Sequence, residues 1–132
     1  MRKLSSVAMV VPEYDVGIAF FVGVLGFHLV ADEDLGGGKR WVLVAAEADA
    51  ETRILLARAD GDAQEAAIGN QTGGRVGWFL ETDDFVRDHA FYSERGVVFE
   101  EAPRTEPYGT VAVFRDPFGN RWDLIEFKKA PL

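Results

Sequence analysis

Cysteine is absent from the 132 residues, histidine occurs only twice, and positive charge is outnumbered, leaving a formal net charge of −8. The first absence removes disulfides, thiolate nucleophiles and Cys-rich zinc sites, so stability has to come from packing or from association with a second copy. The charge balance repels nucleic-acid phosphate and anionic lipid, and no Lys/Arg cluster interleaved with aromatics offsets it, so no nucleic-acid partner is expected. Long apolar runs are missing too. The longest, Val16 to Leu29, is broken by three glycines and a histidine and is shorter than the roughly 20 residues a membrane span needs. No membrane partner is expected. The first residues lack the basic-then-apolar order of a secretion signal, because Ser5 and Ser6 already enter a strand-like alternation; the reading is cytoplasmic.

What is present is apolar material in quantity: 48% hydrophobic residues, with ten Phe, three Trp and three Tyr spread along the chain. That excludes disorder, and the length suits one domain over residues 1–132 that buries roughly two-thirds of its unfolded surface.

The same order of elements reads twice. The first copy, residues 4–60, predicts a strand Ser5 to Val11, a helix Asp15 to Leu25, and strands at His28 to Ala31, Arg40 to Ala46 and Thr52 to Arg58. The second, residues 75–128, predicts a strand Arg75 to Thr82, a helix Asp84 to Arg95, and strands at Val97 to Glu100, Thr110 to Phe114 and Arg121 to Phe127. Between them lies a Gly-rich stretch, residues 61–74, read as a flexible linker with no assigned role. Phe20-Phe21 matches Phe91-Tyr92, and Thr52-Arg53-Ile54-Leu55-Leu56 matches Asn120-Arg121-Trp122-Asp123-Leu124. Ile18, Phe21, Val22 and Leu25 recur at helical spacing; Asp83 is placed to cap the second helix and Gly96 to end it. Gly36-Gly37-Gly38 and Asp116-Pro117-Phe118-Gly119-Asn120 supply turn geometry. The fold class is therefore α+β, two tandem βαβββ units forming a curved mixed sheet around a central cavity. Unpaired strand edges in such units make a homodimer the expected state.

Val11-Pro12-Glu13-Tyr14-Asp15, Ile18-Ala19-Phe20-Phe21, Leu25-Gly26-Phe27 and above all Phe114 to Glu126 (FRDPFGNRWDLIE) resemble the opening and the last hairpin of the vicinal oxygen chelate superfamily, which holds glyoxalases, bleomycin-resistance proteins and extradiol dioxygenases. In its metal-dependent members, one inward side chain from the first and last strand of each unit holds the ion. Carried over, those positions are Ser6, Leu55, Gly77 and Asp123, a set with too few donor atoms for a divalent metal. No metal and no cofactor are expected, and glyoxalase or dioxygenase chemistry is disfavoured. The histidines do not substitute: His28 falls at a helix-to-strand junction, and His89 shares a stripe with Phe85 and Tyr92 that faces the sheet.

Strand alternation puts Ala8, Val10, Arg53 and Ala57 on the face of Ser6 and Leu55, and Phe79, Glu81, Arg121 and Ile125 on the face of Gly77 and Asp123. This lining suits a small polar or zwitterionic molecule. Asp123 is the candidate general base, with an ion pair to Arg121 as the alternative reading. Tyr108 is a candidate at the cavity mouth or else turn packing, and Trp41 a stacking residue or else core; Trp78 and Trp122 fall on the helix side. Three functions stay open: a metal-free small-molecule binder; a metal-independent lyase, isomerase or epimerase with Asp123 as base and Arg53 or Arg121 as anion stabiliser; and a non-catalytic dimeric module.

Overall fold

Met9 and Val11 alternate with less buried neighbours, and Ile54 and Leu56 do the same further along the sequence. Strands with one buried face must lay it against something, and in this protein short helices supply the cover. A computed structural model describes residues 1–129. The protein is mixed α+β, with one four-stranded and one five-stranded mixed sheet carried by two compact units, Met1–Gln71 and Thr72–Leu132.

The first unit runs β1 (Ser6–Val11), α1 (Tyr14–Ile18), β2 (His28–Gly36), β3 (Lys39–Ala45), β4 (Arg53–Arg58) and α2 (Asp62–Ala67). Its sheet has the order β1-β4-β3-β2, with β1 parallel to β4 and the other pairs antiparallel. α1 passes directly into a π-helical turn, Ala19–Val24, and the wider turn brings two consecutive side chains, Phe20 and Phe21, into the core, their rings edge to face at 5.1 Å. Gly26, at φ 76, ends it. β2 extends five residues beyond the expected Ala31, to Gly36, because Asp32, Glu33 and Asp34 still pair with Val42, Trp41 and Arg40.

The Gly-rich stretch is a correction to the sequence reading. It holds α2, and Gln71 beyond it acts as a strand substitute: its Oε1 accepts from Val10 N at 3.0 Å and its Nε2 donates to Ala8 O at 2.7 Å. One amide thus satisfies two main-chain groups on β1, which ends its sheet.

The second unit runs β5 (Val76–Glu81), α3 (Phe85–Glu94), β6 (Val98–Phe99), β7 (Arg104–Glu106), β8 (Gly109–Arg115) and β9 (Arg121–Phe127), in the sheet order β5-β9-β8-β6, with β7 also pairing β8. The short β7, which the sequence did not announce, forms a hairpin with β8 across Pro107-Tyr108. α3 is capped one residue later than expected. Asp84, not Asp83, accepts from Arg87 N at 3.0 Å, while Asp83 pairs with the Arg87 guanidinium at 3.0 Å. Gly96, at φ 86, follows its end. The core of this unit is aromatic: Trp122 stacks on Trp78 and on Phe114, each at 5.7 Å, and both tryptophans lie on the helix side. His89 sits between Phe85 at 5.4 Å and Phe99 at 4.2 Å, a packed position. His28 opens β2 and is exposed.

Candidate functional site

Each sheet has a face away from its helices. In the first unit, register fixes that face: Ser6 lies beside Arg53, Ala8 beside Leu55 and Val10 beside Ala57, while Leu43 of β3 pairs with Leu55. Trp41, two residues from Leu43, points the same way. Ser6, Arg53, Leu55 and Trp41 are therefore brought to one surface. Trp41 is 41% exposed rather than core. It joins Leu55 and Ala57 in a cleft of about 540 Å³ whose remaining wall includes Tyr14, Lys39, Arg40, Arg58, Asp60 and Gln64. Pockets for small ligands fall in the range of about 300–1,000 Å³.

That remaining wall was not legible beforehand. Tyr14 starts α1, and its hydroxyl accepts from Arg40 N at 3.2 Å, tying the helix to β3. The Arg40 and Arg58 guanidinium groups lie over its ring at 5.2 and 5.6 Å. Arg40 is held by Asp15 and Asp32, each at 2.8 Å, and its hydrogen bonds to Asp32 keep that carboxyl below its ordinary range.

In the second unit, Phe79 pairs with Asp123 and Asp123 with Val113 on the open face, with Arg121 two residues along the same strand. Phe79 is 65% exposed. Arg121 does not pair with Asp123, contrary to one of the two readings. Its Nε donates to Glu100 at 2.8 Å and its Nη1 to Gly74 O at 3.2 Å, because Glu100 already reaches over β8 to Arg115. Asp123 is left with Oδ1 buried and without a hydrogen-bond partner. Burial pushes its pKa up; the Arg104 charge opposes this, Glu101 adds to it, and Arg121 opposes it. In the first unit Arg53 Nε is in the same condition, buried and unpartnered. Tyr108 is half exposed beside the Phe127 ring at 6.4 Å, at the β7–β8 turn.

Raised folded-state pKa has a consequence for stability. A carboxyl whose folded pKa exceeds its unfolded one, here 3.8, stabilises the fold below the unfolded value and loses that contribution as pH rises through the folded value. Ionised Asp123 is thus a cost at pH 7. Asp123→Asn is expected to raise the melting temperature at pH 7, with the gain shrinking towards pH 3 in calorimetric scans. A loss at pH 7 would show that the carboxylate is held by a partner.

Position 77 bears directly on metal binding. Gly77 sits where β5 shifts register against β9, and a Cβ built there would overlap the methyl group of Thr72, whose hydroxyl is fixed by donating to Arg75 O at 2.6 Å. No ligating side chain fits without displacing Thr72. With Ser6 a neutral hydroxyl, Leu55 a hydrocarbon and Asp123 the one carboxylate, this donor set does not fit a divalent metal.

Two mixed sheets, each with a helix after its first strand and an open face bearing polar groups among apolar ones, define a protein of the glyoxalase-like class. The chain belongs to the glyoxalase/bleomycin resistance protein/dioxygenase superfamily, whose model matches residues 3–124. It is 44% identical over 133 residues to an uncharacterised protein of Shewanella frigidimarina (strain NCIMB 400), covering 99% of this chain and 98% of that one. Among solved structures, UcmS2 has a TM-score of 0.81 at 29% identity, covering 95% of this chain and 98% of that chain. TnmS3, an antibiotic binding protein from Streptomyces sp. CB03234, has a TM-score of 0.78 at 29% identity, covering 97% and 98%. Among the described residues, no helix is long and apolar enough to cross a membrane.

Proposed function

We propose that this protein binds a small polar molecule on the open faces of its sheets without a metal. One observation carries the reading: Arg53 Nε and Asp123 Oδ1, both at positions expected to line a binding surface, are buried polar atoms with no hydrogen-bond partner. Such atoms cost roughly 1–3 kcal/mol each when left alone, so they persist where a ligand or solvent group completes them. The cleft beside Trp41 supplies room, and the blocked position 77 argues against the metal-dependent chemistry of the superfamily. The likeness to TnmS3 supports binding as the activity. The reading includes a cytoplasmic homodimer, for which the long edge strand β2, with Leu29 and Leu35 exposed, is a natural contact.

A thermal-shift screen of antibiotics, amino-acid derivatives and oxo-acids, run in EDTA and again with added divalent metal, tests it. A ligand at 100 times its Kd stabilises by about 2.7 kcal/mol. The expected shifts are equal in both conditions; a shift that needs metal overturns the reading.

A second reading, metal-independent lyase, isomerase or epimerase chemistry, draws on the raised pKa of Asp123, which suits a general base. It predicts turnover of a screen hit, lost in Asp123→Asn with folding intact.

A further inference from the structure

The cleft of the first unit carries cations that the fold engages unequally. Arg40 is consumed by its two carboxylates. Arg58 is held more loosely: among the described residues its side chain makes no hydrogen bond, and its ion pair with Glu13 is long, at 3.9 Å. Its guanidinium is nevertheless held in place, over the Tyr14 ring at 5.6 Å on one side and beside Gly38 on the other, where a Cβ would stand 3.6 Å from Nη2. Lys39, at the start of β3, also lines the cleft and has no ion-pair partner among the described residues. Against these two stands one lining carboxylate, Asp60. The same cleft has apolar lining from Leu55 and Ala57, and Trp41 in its wall is partly exposed.

We infer that the cleft takes a planar aromatic acid, its ring stacked on Trp41 and its anionic group held by Arg58 with Lys39 alongside. This rests on the small-molecule reading above and names its ligand class. A positioned guanidinium whose hydrogen-bond donors are not taken up by its long ion pair offers parallel N–H donors that match a carboxylate or sulfonate in two-point geometry, and an exposed indole face offers stacking. The overall charge of −8 points the other way. At physiological salt, however, charges beyond about 8 Å are largely screened, so the groups within the cleft decide the sign of the ligand.

The test uses three naphthalenes of equal ring size: 2-naphthoate, 2-naphthamide and 2-(aminomethyl)naphthalene. Each is titrated into the full chain by calorimetry at physiological salt, with the Trp41 indole N–H followed by NMR to locate binding. Naphthoate is expected to bind about tenfold tighter than the amide, and the amine weakest, as a charge-assisted two-point contact requires. Arg58→Gln should abolish the preference for naphthoate while leaving amide binding unchanged; Trp41→Ala should weaken all three. Both side chains are substantially exposed, so both variants should fold, checked by circular dichroism. Amide or amine binding as tight as naphthoate overturns the inference, as does naphthoate binding that leaves the Trp41 signal in place. If the thermal-shift screen finds ligands but no naphthalene binds, the aromatic-acid inference alone falls; if the screen is empty as well, the small-molecule reading falls with it.

Discussion

Alanine at Gly109 is expected to remove a large share of the stability of the protein. Gly109 opens β8 opposite Phe127 of β9, at φ 155, and a Cβ there would overlap the Glu126 carbonyl oxygen and stand 3.0 Å from the Phe127 Cα. Both obstacles are main chain of a paired strand, so neither can rotate aside; β8 has to lift off β9 at this end of the ladder, breaking its bonds there. A loss of about 4 kcal/mol or more is expected, in the exceptional class for a single substitution, against a total of roughly 5–15 kcal/mol for an ordinary domain. Gly96→Ala is the control. Gly96 also has positive φ, at 86, but a Cβ there meets nothing within 4 Å, so only the backbone penalty of about 1–2 kcal/mol remains. Urea unfolding of the two variants separates contact from conformation. Equal losses would mean that the β8–β9 junction yields and the clash is absorbed.

The duplicated order of elements was legible because each unit repeats the same alternation: Met9, Val11, Ile54 and Leu56 in one, Trp122 and Leu124 in the other, all buried on the helix side. Period-two patterns survive without knowledge of partners. Helix ends and short strands did not read as well. Asp83 and Asp84 offer equivalent side chains, and only the backbone chooses which one accepts from Arg87 N. β7 has three residues, Arg104–Glu106, too few for a period to show. α2 and the Gln71 bracket on β1 hid in a stretch whose glycines suggested flexibility, because the bonds to Ala8 and Val10 span more than sixty residues and local composition carries no trace of them.

The candidate site divides the same way. Placement by parity pairs Ser6 with Arg53 and Ala8 with Leu55 in one unit, and Phe79 with Asp123 in the other with Arg121 two residues along, whereas Trp41, left between stacking and core by its sequence, needed the β3 register. Pairing among charges did not follow. Arg121 and Asp123 are two residues apart on one face, yet Arg121 reaches Glu100, whose position depends on the β6–β8 pairing. Tyr14 and Arg58 entered the cleft for a comparable reason: Arg58 ends β4 and Tyr14 begins α1, and the parallel β1–β4 pairing brings those ends together.

Asp116→Ala should be nearly as damaging as the change at Gly109, and its reach extends to the open face. The Asp116 carboxylate is 4% exposed and accepts four donors: Phe118 N at 3.0 Å, Asn120 N at 2.9 Å, Asn120 Nδ2 at 2.8 Å and Trp122 Nε1 at 3.2 Å. Removing it strands buried N–H groups at roughly 1–3 kcal/mol apiece if water cannot replace the acceptor, and partial relaxation brings the expected total to about 3–5 kcal/mol. Asp116→Asn keeps one acceptor oxygen and should lose less. The same turn sets the register in which Arg115 faces Arg121 and Val113 faces Asp123. A slip of one residue would carry Asp123 to the helix side and Trp122 outward. Urea unfolding should therefore show the stability loss, while NMR reports whether the Trp122 indole N–H keeps its bonded shift and whether the Val113–Asp123 cross-strand contact survives. A variant that loses less than about 1 kcal/mol, the net worth of one ordinary hydrogen bond, would show that the turn is held by its backbone bonds between Asp116 and Asn120 alone.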